Sequence, residues 1–217
     1  MKHQTLKFLG RDSGFGKMNN SAYCEIEDKL ILIDCGYTVF NDIKEKFDFN
    51  KYESINVIIT HLHNDHAGSL SQLILYLWFV FNKKVNIFSN CINIKTYLDI
   101  TGVPPEAYIL NGENDKLKFI KTEHTPYIDA YGFLLSVNNK TIAYTGDTNT
   151  LTPFLIYIDK IEELYIDVSR FGGAHIKIDD VLDKLNEIKS KGIAIFLMHI
   201  DDKDYIKGVT NNQFYVE

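Results

Sequence analysis

Cysteine is scarce in this sequence: three residues among 217, at positions 24, 35 and 91. The number is odd and none is paired at metal-binding or redox spacing. That argues against a disulfide framework or a cysteine-built metal site and suits a reducing compartment, so a cytoplasmic location is expected. Long apolar runs are missing too. The longest, LILYLWFVF at 73–81, is about half of the roughly 18 residues that suggest a membrane span, and it reads as a buried helix. The opening MKHQTLKFLG lacks the apolar core of a signal peptide and reads as a first strand. Positive charge is short as well: 23 Lys and Arg against 29 Asp and Glu leave a formal charge of −6. No overall field draws a polyanion to such a surface, so a small ligand is expected before long nucleic acid, and no membrane partner.

What is present suits a packed core. Hydrophobic residues make up 45 % of the chain, with 13 Tyr and 14 Phe, and the length fits a single domain over 1–217. Short β-type runs come first: LKFLG at 6–10, AYCEIE at 22–27 and KLILIDCG at 29–36, with EDKL as a hairpin turn between the last two. RDSGFGKMNNS, at 11–21, is a polar, turning loop. INVIIT at 55–60 reads as a fully buried strand, followed by a helix over about 68–81. KVNIFS then predicts a strand, CINIKTYLDI a helix and TGVPPEAY a loop. YGFLLSV and KTIAYTG flank Asn138-Asn139, a hairpin signal. Helical and strand patterns alternate through LTPFLIYI, IEELYIDV, IDDVLDKLNEIKSKG and IAIFLMHI. Strand-rich halves, each closed by helices, predict an α/β protein with two sheets packed face to face and helices outside.

Between the buried strand at 55–60 and the helix stands HLHNDH, with His61, His63, Asp65 and His66 inside six positions. Histidines two apart in extended backbone turn their rings to one side and can share an ion. Asp65 and His66 fall where the chain enters the helix, which swings them toward a neighbouring point. The structural alternative makes Asp65 a helix cap and the histidines coincidence. His124, His175 and His199 each follow a strand pattern; His3 does not.

The HxHxDH string resembles the hallmark of the metallo-β-lactamase-fold hydrolases. The resemblance continues in family order through FIKTEHTPYIDAYGFLL at His124, IAYTGDT at Asp147 and AIFLMHI at His199. It implies a four-layer αββα sandwich of two mixed β-sheets. It also implies one divalent ion held by His61, His63 and His124, a second by Asp65, His66 and His199, and Asp147 bridging both. Imidazoles and carboxylates suit zinc, with manganese or iron as alternatives. Between ions about 3.5–4 Å apart, a water loses its proton near neutral pH and becomes the nucleophile.

ELYIDVSRFGGAH resembles the segment of ribonuclease Z-like phosphodiesterases that carries an acid and then a histidine near the scissile phosphate. By that likeness His175 protonates the leaving oxygen and Asp167 orients it, completing with Asp65 the expected catalytic set. Many relatives have Glu where Asp167 stands, so this partner is one methylene shorter than theirs. Surface and packing roles stay open for His175, Asp167, Asn19–Ser21, Tyr127, Tyr131 and Arg170. Asp147 stands only 23 positions after His124, and two strands consume the interval, leaving no room for the transfer-RNA-gripping arm of ribonuclease Z. A compact member is expected, similar to anti-Pycsar phosphodiesterases, which open cyclic mononucleotides such as cyclic CMP and cyclic UMP and commonly form homodimers. The rival readings are an arm-less nuclease, a lactone or ester hydrolase of the same fold, and a ligand-binding protein without turnover.

Overall fold

Two mixed sheets organise the chain, and each belongs to its own unit. The computed structural model describes residues 4–215, so His3 lies outside the described residues. One unit spans Leu6–Asn114, and the other is formed by the chain from Asp115 onward together with its start up to Thr5.

In the first unit, β1 (Lys7–Gly10), β2 (Ser21–Ile26) and β3 (Lys29–Ile33) are antiparallel neighbours. Ile26 pairs with Lys29, which leaves Glu27 and Asp28 as a two-residue hairpin loop, with Glu27 at φ 55°. Such loops match the twist of the flanking strands. Beyond β3 the sheet turns parallel through β4 (Ser54–Ile58), β5 (Val85–Phe88) and β6 (Tyr108–Leu110). Parallel neighbours need crossovers. These are supplied by α1 (Phe40–Lys46), by α2 (Asn64–Ala67) with α3 (Leu70–Phe81), and by α4 (Ile94–Ile100). In α3 the residues Leu70, Leu73, Ile74 and Leu77 are buried at helical spacing, and left-handed Asn82 ends the helix. The segment expected to be a loop at 101–108 also holds a short 3₁₀ turn, Pro105–Ala107, and the first residue of β6. The three cysteines are free and buried, and burial pushes the Cys24 thiol up to about 12, which keeps it unreactive.

The second unit places its strands in the order β11-β10-β9-β8-β7. β7 (Leu117–Lys121), β8 (Tyr131–Val137) and β9 (Lys140–Tyr144) are antiparallel, while β10 (Glu163–Asp167) and β11 (Ala194–Met198) continue in parallel. Asn138 and Asn139 form the β8–β9 turn at φ 50° and 62°, values that asparagine tolerates. α5 (Thr152–Leu155) lies on the way from β9 to β10. α6 (Ile178–Ser190), with Ile178, Val181, Leu185 and Ile188 buried, leads from β10 to β11. α7 (Lys203–Thr210) follows, its first turn capped by Asp202, which accepts from Tyr205 N. After it the chain returns alongside β11: Leu197 N donates to Tyr215 O at 2.9 Å and Tyr215 N to Ile195 O at 3.2 Å. Five rings stack across this sheet, Phe133 on Tyr144, Tyr144 on Tyr165, Tyr165 on Phe196 and Phe196 on Tyr215, at centroid separations of 5.1, 6.3, 4.8 and 4.8 Å.

Glu163, buried at the start of β10, collects four donors. Thr5 N, Thr5 Oγ1 and Lys140 Nζ each lie at 2.9 Å and Tyr165 OH at 2.6 Å. Burial by itself raises its pKa, but these donors outweigh burial and hold the carboxyl below its ordinary 4.5. A carboxylate with a depressed pKa contributes stability that is present above its unfolded value and lost as pH falls through the folded one. Glu163→Gln is therefore expected to melt below the wild type at neutral pH, with the gap closing as pH drops beneath 4.5. Thermal melts across that range check this, and a gap that ignores pH would contradict it.

Candidate functional site

Polar side chains gather where the apolar strands run out. In the first unit the chain leaves β4, passes Ile59 and Thr60, and bends through HLHNDH into α2. His61 and His66 are fully buried, while His63 and Asp65 are partly so. His61 Nε2 stands 2.9 Å from His63 Nδ1, and Asp65 Oδ2 stands 3.2 Å from His66 Nε2. The N-cap of α2 is His63 and no side chain caps this helix. Asp65 thus does not act as the cap; its carboxylate turns to His66 instead.

Sequence reasoning misses Asp34. It follows β3 in a left-handed conformation at φ 58° and is fully buried. Its carboxylate accepts from Thr60 N at 2.8 Å and from Thr60 Oγ1, and it lies 2.8 Å from His66 Nδ1. Burial pushes this carboxyl up, and His66 and Thr60 pull it back only in part. With the Nδ1 proton held by Asp34, the His66 lone pair sits on Nε2, the nitrogen beside Asp65. A carboxylate behind an imidazole fixes the tautomer and orientation a metal requires. The signal was an acid closing the buried apolar run LILI.

Tight packing holds the His/Asp cluster of the first unit in place. Cys35 N donates to His66 O at 2.7 Å and Tyr37 N to Asn64 O at 3.1 Å. A Cβ on Gly36 would stand 2.0 Å from the carbonyl oxygen of Asp65, and one on Gly14 would stand 2.9 Å from Asp65 Oδ2. Asn19 braces the same loop, accepting from Thr38 N at 3.1 Å, while Ser21 Oγ donates to Asp34 O at 2.9 Å. Both residues support the fold around the His/Asp cluster.

The second unit has its own cluster of five groups. His124 follows β7, Asp147 follows β9, Asp167 closes β10, His175 sits in the loop before α6, and His199 follows β11 at φ 56°. Asp147 Oδ2 lies 3.4 Å from His199 Nε2, 3.7 Å from His124 Nε2 and 3.9 Å from His175 Nδ1. His124 Nδ1 donates to Ala174 O at 3.0 Å, which leaves its Nε2 on the side of Asp147. Asp167 accepts from Thr148 N at 3.0 Å, and its Oδ2 lies 2.8 Å from His175 Nδ1. The His175 and His199 rings stack at 4.7 Å. Burial disfavours a charged His175, but the hydrogen bond and charge of Asp167, helped by Asp147, outweigh burial and hold its pKa above the ordinary value. The His175 side chain is 24 % exposed, against 3 % or less for the other four, which makes it the most solvent-accessible of the five.

These donor sets fit divalent ions. In a tetrahedral shell with bonds of about 2.0–2.2 Å, neighbouring donors stand about 3.3–3.6 Å apart. The Asp65–His66 separation of 3.2 Å and the Asp147–His199 separation of 3.4 Å lie close to that edge. They are long for hydrogen bonds and suited to two groups sharing an ion. Asp147, Asp167, His175 and His199 also bring one ligand atom each within 4.8 Å of the others. Arg170 is committed elsewhere, its guanidinium 2.7 Å from Asp202 and over the Tyr205 ring. Tyr127 is exposed and Tyr131 half-buried.

Residues 4–96 match a family model described as "Anti-Pycsar protein Apyc1". A protein of that name from Bacillus phage 010DV004 is 25 % identical over 237 residues, covering 93 % of this chain and 91 % of the relative. Another, from Paenibacillus harenae, is 24 % identical over 240 residues, covering 98 % and 96 %. Among solved structures, the metallo-beta-lactamase fold protein YhfI from Bacillus subtilis superposes with a TM-score of 0.77 at 17 % identity, over 96 % of this chain and 92 % of the other. A diphosphatase from the PhnP family gives 0.70 at 17 % identity, over 97 % and 92 %. The short form of human tRNase Z gives 0.68 at 13 %, over 92 % and 93 %. Among the described residues, no helix is long and apolar enough to cross a membrane.

Proposed function

We propose that this chain, which has the metallo-β-lactamase fold, is a binuclear metal-dependent phosphodiesterase that opens a cyclic mononucleotide to the nucleoside monophosphate. The observation that carries this reading is the Asp167–His175 pair, 2.8 Å apart and beside the Asp147 cluster. A phosphodiester with an alkoxide leaving group needs a proton donor there, whereas a charge cluster alone does not provide one. The names of the similar proteins, anti-Pycsar protein and PhnP-family diphosphatase, support the substrate class.

The reading treats 1–217 as one catalytic domain. It assigns one ion to His61, His63 and His124 and the other to Asp65, His66 and His199, with Asp147 shared. Zinc suits these imidazoles and carboxylates, with manganese or iron as alternatives. When bound, the ions supply an acidified water and offset charge on the phosphate. The chain's own residues do the rest. Asp34 and the Ala174 carbonyl fix the tautomers of His66 and His124. Asp167 holds Nδ1 of His175, so that Nε2 carries the proton delivered to the departing ribose oxygen, and the negative charge behind the ring favours the protonated form.

The test is hydrolysis by protein reconstituted with zinc or manganese, offered cyclic CMP, UMP, AMP and GMP, an RNA and a lactone, with products separated by chromatography. Nucleoside monophosphate from at least one cyclic nucleotide is expected. Turnover of the lactone or RNA alone would replace the proposal, and metal-loaded protein without turnover would point to a binding protein.

A further inference from the structure

His175 is delivered by a loop, and the loop is held both by its own Ser169 and from outside, by the segment after β11. Between Ser169 and Ile178 the chain leaves β10 and returns: Ser169 N donates to Ile176 O at 2.8 Å and Ile178 N to Ser169 O at 2.9 Å. The excursion between carries Gly172 and Gly173 at φ 75° and 80°, a backbone that side chains rarely adopt. Ser169 Oγ organises its first half, accepting from Phe171 N at 2.9 Å and from Gly172 N at 3.1 Å. An oxygen that accepts twice must send its own proton elsewhere, and it goes to Asp201 Oδ2. The other oxygen of Asp201 accepts from Arg170 N at 2.9 Å. One carboxylate therefore pins four consecutive residues of the loop, Ser169 and Arg170 by direct bonds and Phe171 and Gly172 through the serine. Asp202 adds to the grip by holding the Arg170 guanidinium while it caps α7 through Tyr205 N.

Asp201 stands two positions after His199. The chain end that carries one imidazole of the cluster thus also holds the loop that presents another, and Ala174 of that loop orients a third, His124. We propose that Asp201 is a positioning residue: through Ser169 and the Arg170 amide it sets the loop so that His175 rests on Asp167 with Nε2 toward the leaving oxygen. Asp201 touches neither substrate nor reacting atoms. This rests on the function proposed above, in which His175 is the proton donor.

The experiment compares two leaving groups. A cyclic nucleotide releases an alkoxide that must be protonated, whereas a p-nitrophenyl phosphodiester releases a phenolate that needs little help. Asp201→Ala is expected to lose ~10–100-fold in kcat on the cyclic nucleotide, a part of what a general acid contributes, and at most about fivefold on the aryl ester, with KM nearly unchanged. Asp201→Asn keeps one acceptor, enough for the Arg170 amide, but sets a donor against the Ser169 hydroxyl, and is expected to restore only part of the loss. Hydrogen exchange gives a readout free of turnover: the amides of Arg170, Phe171 and Gly172 should exchange faster in Asp201→Ala, while those of β10 and β11 keep their protection. Equal losses on both substrates, or unchanged loop exchange, would overturn the proposal. Should Asp201→Ala fail to fold, Ser169→Ala carries the same comparison. Wild-type protein inactive on every phosphodiester, with loop exchange still responding to Asp201, would remove the proposed function and leave the clamp standing.

Discussion

Asp147→Ala is expected to cut turnover of the cyclic nucleotide by about 10²–10³-fold, the size of effect reached when preorganised charge stabilisation is removed from a reacting centre. Its Oδ2 faces three imidazoles, at 3.4, 3.7 and 3.9 Å, and the side chain is 2 % exposed. In the proposed function this carboxylate would be the ligand common to both ions, where its negative charge would offset theirs. Metal analysis of the variant should show one equivalent or less per chain against two for the wild type. The fold should survive, since the local strand-end contact uses the backbone, Thr122 Oγ1 donating to Asp147 O. Near-normal turnover with two ions bound would refute the bridging role.

His175→Ala is expected to lower kcat on the cyclic nucleotide by ~10²–10⁴, the range contributed by a positioned general acid, while two ions per chain remain bound. The metal count separates two roles that the geometry places side by side. His175 belongs to the cluster with Asp147, Asp167 and His199, so a ligand role would cost an ion on substitution. A proton donor would cost rate alone. The bond to Asp167 and the greater exposure favour the donor, and a large loss of metal would decide for the ligand. The effect should shrink with a p-nitrophenyl leaving group, which departs without a proton.

Much of this architecture is legible in the sequence because it rests on local signals. INVI and the HLHNDH string mark a strand end and a cluster by spacing alone, and Asn138-Asn139 announces its turn. α6 reads from the period of Ile178, Val181, Leu185 and Ile188. What escapes depends on partners distant in sequence. Asp34 reads as the end of an apolar strand until Thr60 and His66 are seen around it. Asp201 and Ser169, 32 positions apart, carry no motif and become meaningful only through their bond. β7 and α7 escape for the opposite reason: LKFIK and KDYIKGVT are short, lysine-bearing segments whose structure comes from neighbours more than from pattern. Arg170 takes one of the packing roles left open by the sequence, its guanidinium bonded to Asp202.

The bridge at Tyr215 bears on how the protein behaves in a crowded solution. β11 ends the sheet of its unit, and an outermost strand offers its bare amides and carbonyls to any foreign chain able to zip onto them. Here Ile195 O and Leu197 N are already engaged by Tyr215. At the opposite rim, Lys118 and Lys121 of β7 present charge that an approaching strand would have to strip of water. Clipping residues 213–215 would unzip one border while leaving the chemistry at the strand ends untouched, and the cost would appear as turbidity and fibrils before it appeared in catalysis.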